Sequence, residues 1–168
     1  MSWRASIAAA ALSLAALSSA RGDPCVAPRV DVADWPIVRS PRVPGFTLRL
    51  PRSFTHDTGT EAPSSAARWS DASRARFEIA HRMTDDTGST PLPSADGRAS
   101  YARCEDRVGS ASAIIISYGE GSTAGAYVVH ARIEWPDGEI LEVHADAAER
   151  ARVNELIAAV RTVRRTGA

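Results

Sequence analysis

The sequence predicts an α+β domain. One antiparallel sheet, built from consecutive hairpins between Phe46 and Ala145, carries an amphipathic helix from about Ala147 to Val163 across one face. The first observation behind this is the pattern around Trp135-Pro136-Asp137-Gly138-Glu139. Proline presets φ at the first turn position, Asp tolerates the second, and Gly takes the left-handed position that closes the loop. Setting Trp135 opposite Glu139 puts Ile133 against Leu141, Ala131 against Val143 and Val129 against Ala145 on one face. The other face then pairs Glu134 with Ile140, Arg132 with Glu142 and His130 with His144. One side is apolar and the other polar and charge-complementary, as in a half-buried antiparallel ribbon. The second observation is the apolar stripe Val153, Leu156, Ile157, Val160 and Val163, which recurs at helical intervals.

Three segments are expected in order: a signal peptide at 1–20, an extended arm at 21–44 and a single domain at 45–168. Arg4, the apolar run Ile7 to Leu17 and the small residues Ser18-Ser19-Ala20 have the three-part layout of a secretory signal. No later stretch approaches the roughly 20 apolar residues that a membrane span needs. Cys25 follows Gly22-Asp23-Pro24, which is not a lipoprotein pattern, so a periplasmic or secreted protein is expected. The arm contains Pro24, Pro28, Pro36, Pro41 and Pro44, which fix φ and remove donors, with Cys25 and Trp35 as its anchor points. In an oxidising compartment Cys25 and Cys104 are expected to form a disulfide that ties the arm to the sheet. Without that bond the arm is a tether.

Phe46-Thr47-Leu48-Arg49-Leu50 alternates cleanly between Gly45 and Pro51 and reads as the first strand. Arg52 to Ala66 lacks a period and reads as a long loop or a short helical turn. Arg68 to Ser70 and Ala75 to Arg82 form a hairpin around Asp71-Ala72-Ser73, with Ala75, Phe77, Ile79 and His81 on one face. Thr84 to Ala99 is rich in turn formers and poor in apolar residues. Tyr101 to Arg107 and Ala111 to Tyr118 are strands joined around Val108-Gly109-Ser110. The run Ile114-Ile115-Ile116 argues for a central strand covered on both faces. Asp146 and Glu149 have capping-box spacing ahead of the final helix, and Arg161, Arg164 and Arg165 suit its C-terminal dipole.

Composition excludes several functions. The formal net charge is +0, with Lys+Arg 20 against Asp+Glu 20, so no bulk field recruits nucleic acid or an anionic membrane. Every basic residue is Arg, which reflects coding bias and not arginine-specific recognition. The glycine-rich stretch Gly119 to Gly125 leads into a strand, whereas a phosphate loop needs a helix N-terminus there. No Gly-x-Ser-x-Gly elbow, HExxH or CxxC occurs. Asp85-Asp86 and Glu105-Asp106 lie in or beside turns, where carboxylates are solvated. His130 and His144, opposed across the hairpin, could supply two ligands of a zinc or copper site, with Glu120, His81 or Asp146 as the third.

The order Val43-Pro44-Gly45-Phe46-Thr47-Leu48-Arg49-Leu50-Pro51, then Trp69 in a hairpin, is one set of landmarks. A tryptophan-ended strand with a Pro-Asp-Gly turn and a helix ending Ala158-Ala159-Val160-Arg161-Thr162-Val163-Arg164 complete them. Together they resemble small exported bacterial proteins of the PsbP-like α/β/α group. The chain departs from that group at Arg52 to Ala66 and Thr84 to Ala99, which are too broken for the helices expected there. The resemblance implies a single domain with a helix packed on an antiparallel sheet, acting by binding or assembly. It transfers no catalytic residue.

The expectation is an exported, monomeric, non-enzymatic module without a cofactor, which binds a protein or envelope component. It would use the loops at Thr84–Ala99 and Gly119–Gly125 or the open sheet face. The alternative is a small metal-assisted enzyme centred on His130 and His144.

Overall fold

The computed structural model describes residues 30–58, 66–83, 91–120 and 126–166. Among the described residues, ten strands and one short helix form an α+β fold that is mostly antiparallel sheet. Seven strands make the main sheet: β3 (Thr55–His56), β4 (Ala66–Ser70), β5 (Arg76–Met83), β6 (Ala99–Val108), β7 (Ala111–Gly119), β8 (Tyr127–Glu134) and β9 (Glu139–Ala147). Their order across the sheet is β3-β4-β5-β9-β8-β7-β6, so β9 joins the β4–β5 hairpin to a β6–β7–β8 meander. A second sheet consists of β1 (Ile37–Val38), β2 (Phe46–Arg49) and β10 (Arg164–Arg165), with β2 central.

The turn chemistry sets the register as expected. The Trp135 amide donates to the Glu139 carbonyl at 2.9 Å, and Gly138 takes φ 85°. Pairing then runs Ile133 to Leu141, Ala131 to Val143, Arg132 to Glu142 and His130 to His144. Phe77, Ile79, Val129, Ala131, Ile133, Leu141, Val143 and Ala145 are buried in the main core, beneath the helix. Ile115 joins that core while Ile116 is buried on the opposite face, so β7 is covered on both sides.

Two expectations are corrected. The sheet from Phe46 to Ala145 is not single, because Phe46–Arg49 pairs with the arm on one edge and with the chain leaving the helix on the other. Ile37 lies against Arg49 and Arg164 against Thr47. Alternation in Phe46–Leu50 reports a strand but not its neighbours. The helix is also shorter than expected: α1 spans Val153–Arg161, preceded by a 3-10 turn at Arg150–Arg152. Asp146 is not its cap. It pairs with Arg76 and Val128 inside β9, where strand partners on both sides take the backbone groups that a helix start would use. Leu156, Ile157 and Val160 are buried as the stripe requires, and Val163 is buried just past the helix end.

A further short strand, Thr55–His56, forms within the stretch read as loop. In the arm, Val43 is fully buried and Trp35 packs against the core. The turn after β4 holds the start of α1. Asp71 Oδ1 accepts from the Ser73 amide at 2.9 Å, the Ser73 hydroxyl at 2.6 Å and the Ala75 amide at 3.1 Å. Its Oδ2 accepts from Arg152 Nη2 at the helix entry. Burial alone would raise the Asp71 carboxyl, but the Ser73 and Ala75 hydrogen bonds and the Arg152 charge outweigh it and hold it below its ordinary 3.8. Its contribution is therefore present above that pH and lost as pH falls through the lowered value. Asp71→Ala removes all these acceptors at once and is expected to cost about 1–3 kcal/mol, read by urea unfolding at pH 7. A loss indistinguishable from zero would show that the turn does not hold the helix.

Candidate functional site

The face of the main sheet away from α1 carries the polar side chains. Arg68, Glu78, His144, His130 and Ile116 lie in register across β4, β5, β9, β8 and β7. One row along, Glu142 receives Arg82 Nε at 2.9 Å and Arg132 Nη2 at 3.0 Å, while Arg68 Nη2 reaches Glu78 at 2.7 Å. A cleft of about 230 Å³ lies over these strands, lined by Glu78, Arg82, Glu142, His130 and His144 and walled by Pro91-Leu92-Pro93.

At its floor, His144 Nδ1 and His130 Nε2 are 3.0 Å apart, so one ring donates a hydrogen bond to the other. Tyr118 lies nearly parallel to the His130 ring, 9° between planes at 6.1 Å, and the Arg98 guanidinium sits 4.1 Å above Tyr118. On its far nitrogen, Nε2, His144 is 3.9 Å from Asp146 Oδ1. Burial first, then the neighbouring His144 and Arg98, hold the His130 imidazole down to about 4, against the pull of Glu142. Burial likewise pushes the Asp146 carboxyl up, although Arg76 and His144 oppose the shift.

The structure brings His130 and His144 together on the polar face. Among the described residues, no group of three or more His, Cys, Asp or Glu is arranged to hold a metal ion. Of the candidate third ligands, Asp146 faces the wrong nitrogen of His144. His81 belongs to the opposite face, where it pairs with Glu139 at 2.8 Å and packs on Phe46 at 5.7 Å. Glu120 sits past the end of β7, its amide donating to the Ala126 carbonyl at 2.9 Å. Cys104 is buried on β6, and Cys25 lies outside the described residues, as do the 1–20 segment, 84–90 and 121–125.

Sequence reasoning missed the segment 91–98 as a cover for this face. Leu92 packs with Tyr101 and Ile114 onto the buried cluster Ile116, Tyr118 and Val128, and the Tyr101 hydroxyl donates to the Pro93 carbonyl at 3.1 Å. An apolar residue clamped between two prolines in a polar loop was the available signal, since such a stretch is extended and pre-ordered.

The architecture is an antiparallel α+β fold with one covered and one polar, clefted sheet face. No family model matches the chain, and no curated protein matches it. Among solved structures it is similar to the Ran-binding protein Mog1p of Saccharomyces cerevisiae, at 13% identity and TM-score 0.51. The match covers 77% of this chain and 95% of that one. A protein from Bacteroides thetaiotaomicron matches at 12% identity and TM-score 0.48, over 77% of this chain and 47% of that one. At such identities the likeness is one of fold. No helix among the described residues is long and apolar enough to cross a membrane.

Proposed function

We propose that the chain is an exported, periplasmic or secreted binding module without catalytic activity, which meets a protein or envelope component through the polar sheet face. The observation that carries this is the cleft between β5, β9 and the 91–98 segment. It combines fixed charges at Arg82, Glu142 and Arg132 with an apolar wall at Leu92. Apolar contact beside oriented charge suits a partner surface better than bond chemistry. The fold likeness is to a protein named for a protein partner, which is compatible with that reading. The suggested affinity to the PsbP-like group, whose members act by binding or assembly, points the same way.

The test is retention of envelope-fraction components on the immobilised mature protein, with Arg82→Glu alongside. Arg82 is partly exposed, so reversing it should change stability by less than about 1 kcal/mol while spoiling charge complementarity at the cleft. Specific retention lost in the variant is the expected result. Equal retention by both, or substrate turnover by the purified protein, would overturn the proposal.

The module is proposed to be monomeric, with Cys25 bonded to Cys104 so that the proline-rich arm is fixed to β6. Thiol titration of the unfolded, unreduced mature protein is expected to find no free thiol. Two free thiols per chain would refute the bond.

A further inference from the structure

We propose that the cleft receives an acidic side chain from an extended segment of the partner, its carboxylate seated on the terminal nitrogens of Arg82 and an apolar neighbour against Leu92. The inference rests on the reading of the polar face as a binding surface and names the group which that surface takes.

At about 230 Å³ the cleft is smaller than the roughly 300–1,000 Å³ of sites that enclose a whole small molecule. It suits one or two side chains of something larger. One wall is Pro91-Leu92-Pro93, where the two prolines fix the backbone, so the apolar side of the cleft is formed before a partner arrives.

Charge selects the incoming group. Both oxygens of Glu142 are taken, Oε2 by Arg82 Nε at 2.9 Å and Oε1 by Arg132 Nη2 at 3.0 Å. Glu78 Oε2 accepts from Nε and Nη2 of Arg68, at 2.8 and 2.7 Å. In this network three guanidiniums meet two carboxylates, which leaves one positive charge in surplus. A cation entering the cleft would add to that surplus, whereas a single carboxylate cancels it. A phosphate monoester carries about −1.5 to −2 at neutral pH and would leave negative charge beside Glu142.

Arg82 offers the matching donors. Among the described residues its guanidinium bonds only through Nε, and the side chain is 34% exposed, so Nη1 and Nη2 remain available at the rim. The bond from Nε to Glu142 holds the plane of the group, and the fork is oriented in advance. Two parallel N–H···O bonds from such a fork fit both oxygens of a carboxylate, a fit that an amide cannot reproduce. In an extended segment, residues two positions apart share a face. An acid and an apolar residue at that spacing can therefore meet Arg82 and Leu92 together.

The experiment titrates the mature protein at pH 7.5 with acetyl-Leu-Gly-Asp-amide and with counterparts carrying Asn, Lys or phosphoserine in place of Asp. Binding is followed by the backbone amide resonances of Ala80, Leu92 and Val143, which line the cleft. Saturable shifts with the Asp peptide are expected, with the Asn peptide binding at least about tenfold more weakly for want of the charge-assisted pair. Arg82→Gln keeps the apolar wall, so it should bring the Asp peptide to the Asn level without abolishing its binding. Arg82→Lys, which keeps the charge but not the fork, should recover only part of the loss. Unchanged resonances away from the cleft show that both variants are folded. Equal binding of the Asn peptide, or tighter binding of the Lys or phosphoserine peptide, would overturn the carboxylate assignment. So would an Asp-peptide affinity unchanged in Arg82→Gln, or no shift at the three residues with any peptide. The wider binding proposal is judged separately, by retention of envelope components.

Discussion

Leu156→Ala is expected to lower the free energy of unfolding by about 2–5 kcal/mol, and Ile157→Ala by a similar amount. Both side chains are nearly fully buried, at 1% and 2% exposure, on a helix of only nine residues. A helix this short has little stability of its own and exists because its apolar face is packed. It is seated on β8 and β9 and also touches β2 and β6, so truncation opens a hole between elements that cannot close independently. Urea unfolding at constant slope gives the loss directly. A change under about half a kcal/mol at both positions would show that the helix is not docked on this sheet. Ile37→Ala, on a side chain 57% exposed, is the control and should change stability by less than that.

Phe77→Ala should cost about 3–5 kcal/mol. Phe77 is fully buried on β5, opposite Trp69 on β4 and Ala145 on β9. Ala145 is too small to follow the missing ring, and Trp69, itself 2% exposed and edge-on to His56 at 5.4 Å, is already held in place. The cavity therefore persists. The same unfolding measurement checks it, and a loss below about 1 kcal/mol would mean that this part of the core collapses freely, contrary to the packing described.

These two sites differ in how far they could be read from the sequence. The Trp135–Glu139 turn has a mechanism attached to each residue, so it fixes the β8–β9 register. That register alone places Phe77's neighbour Ala145 in the core and sets His130 against His144. The apolar stripe of α1 was equally legible, because periodicity survives any error in the boundaries. The helix start was not. A capping-box spacing at Asp146 competes with two strand ladders, and the outcome depends on β5 and β8 being present on either side.

The partners of β2 were illegible for a similar reason. Arg164–Arg165 reaches it only because α1 turns the chain back, and two further contacts help to fasten that return. Arg165 bonds Asp137 at 2.6 Å and Glu139 at 2.8 Å, tying the tail to the hairpin turn. At the candidate site, the histidine pair followed from register, whereas the Arg98–Tyr118–His130 stack did not. It requires knowing that β7 lies beside β8 and that the 91–98 segment folds over both.

The most direct test of the binding proposal is site-specific photo-crosslinking in intact cells of the source organism. The photoreactive residue is placed at Arg82 or Ser94, beside the cleft, and at the exposed Arg150 ahead of α1. Discrete crosslinked species from positions 82 and 94, and none from 150, are the predicted result. Crosslinks from 150 alone, or no adduct from any of the three positions, would contradict it.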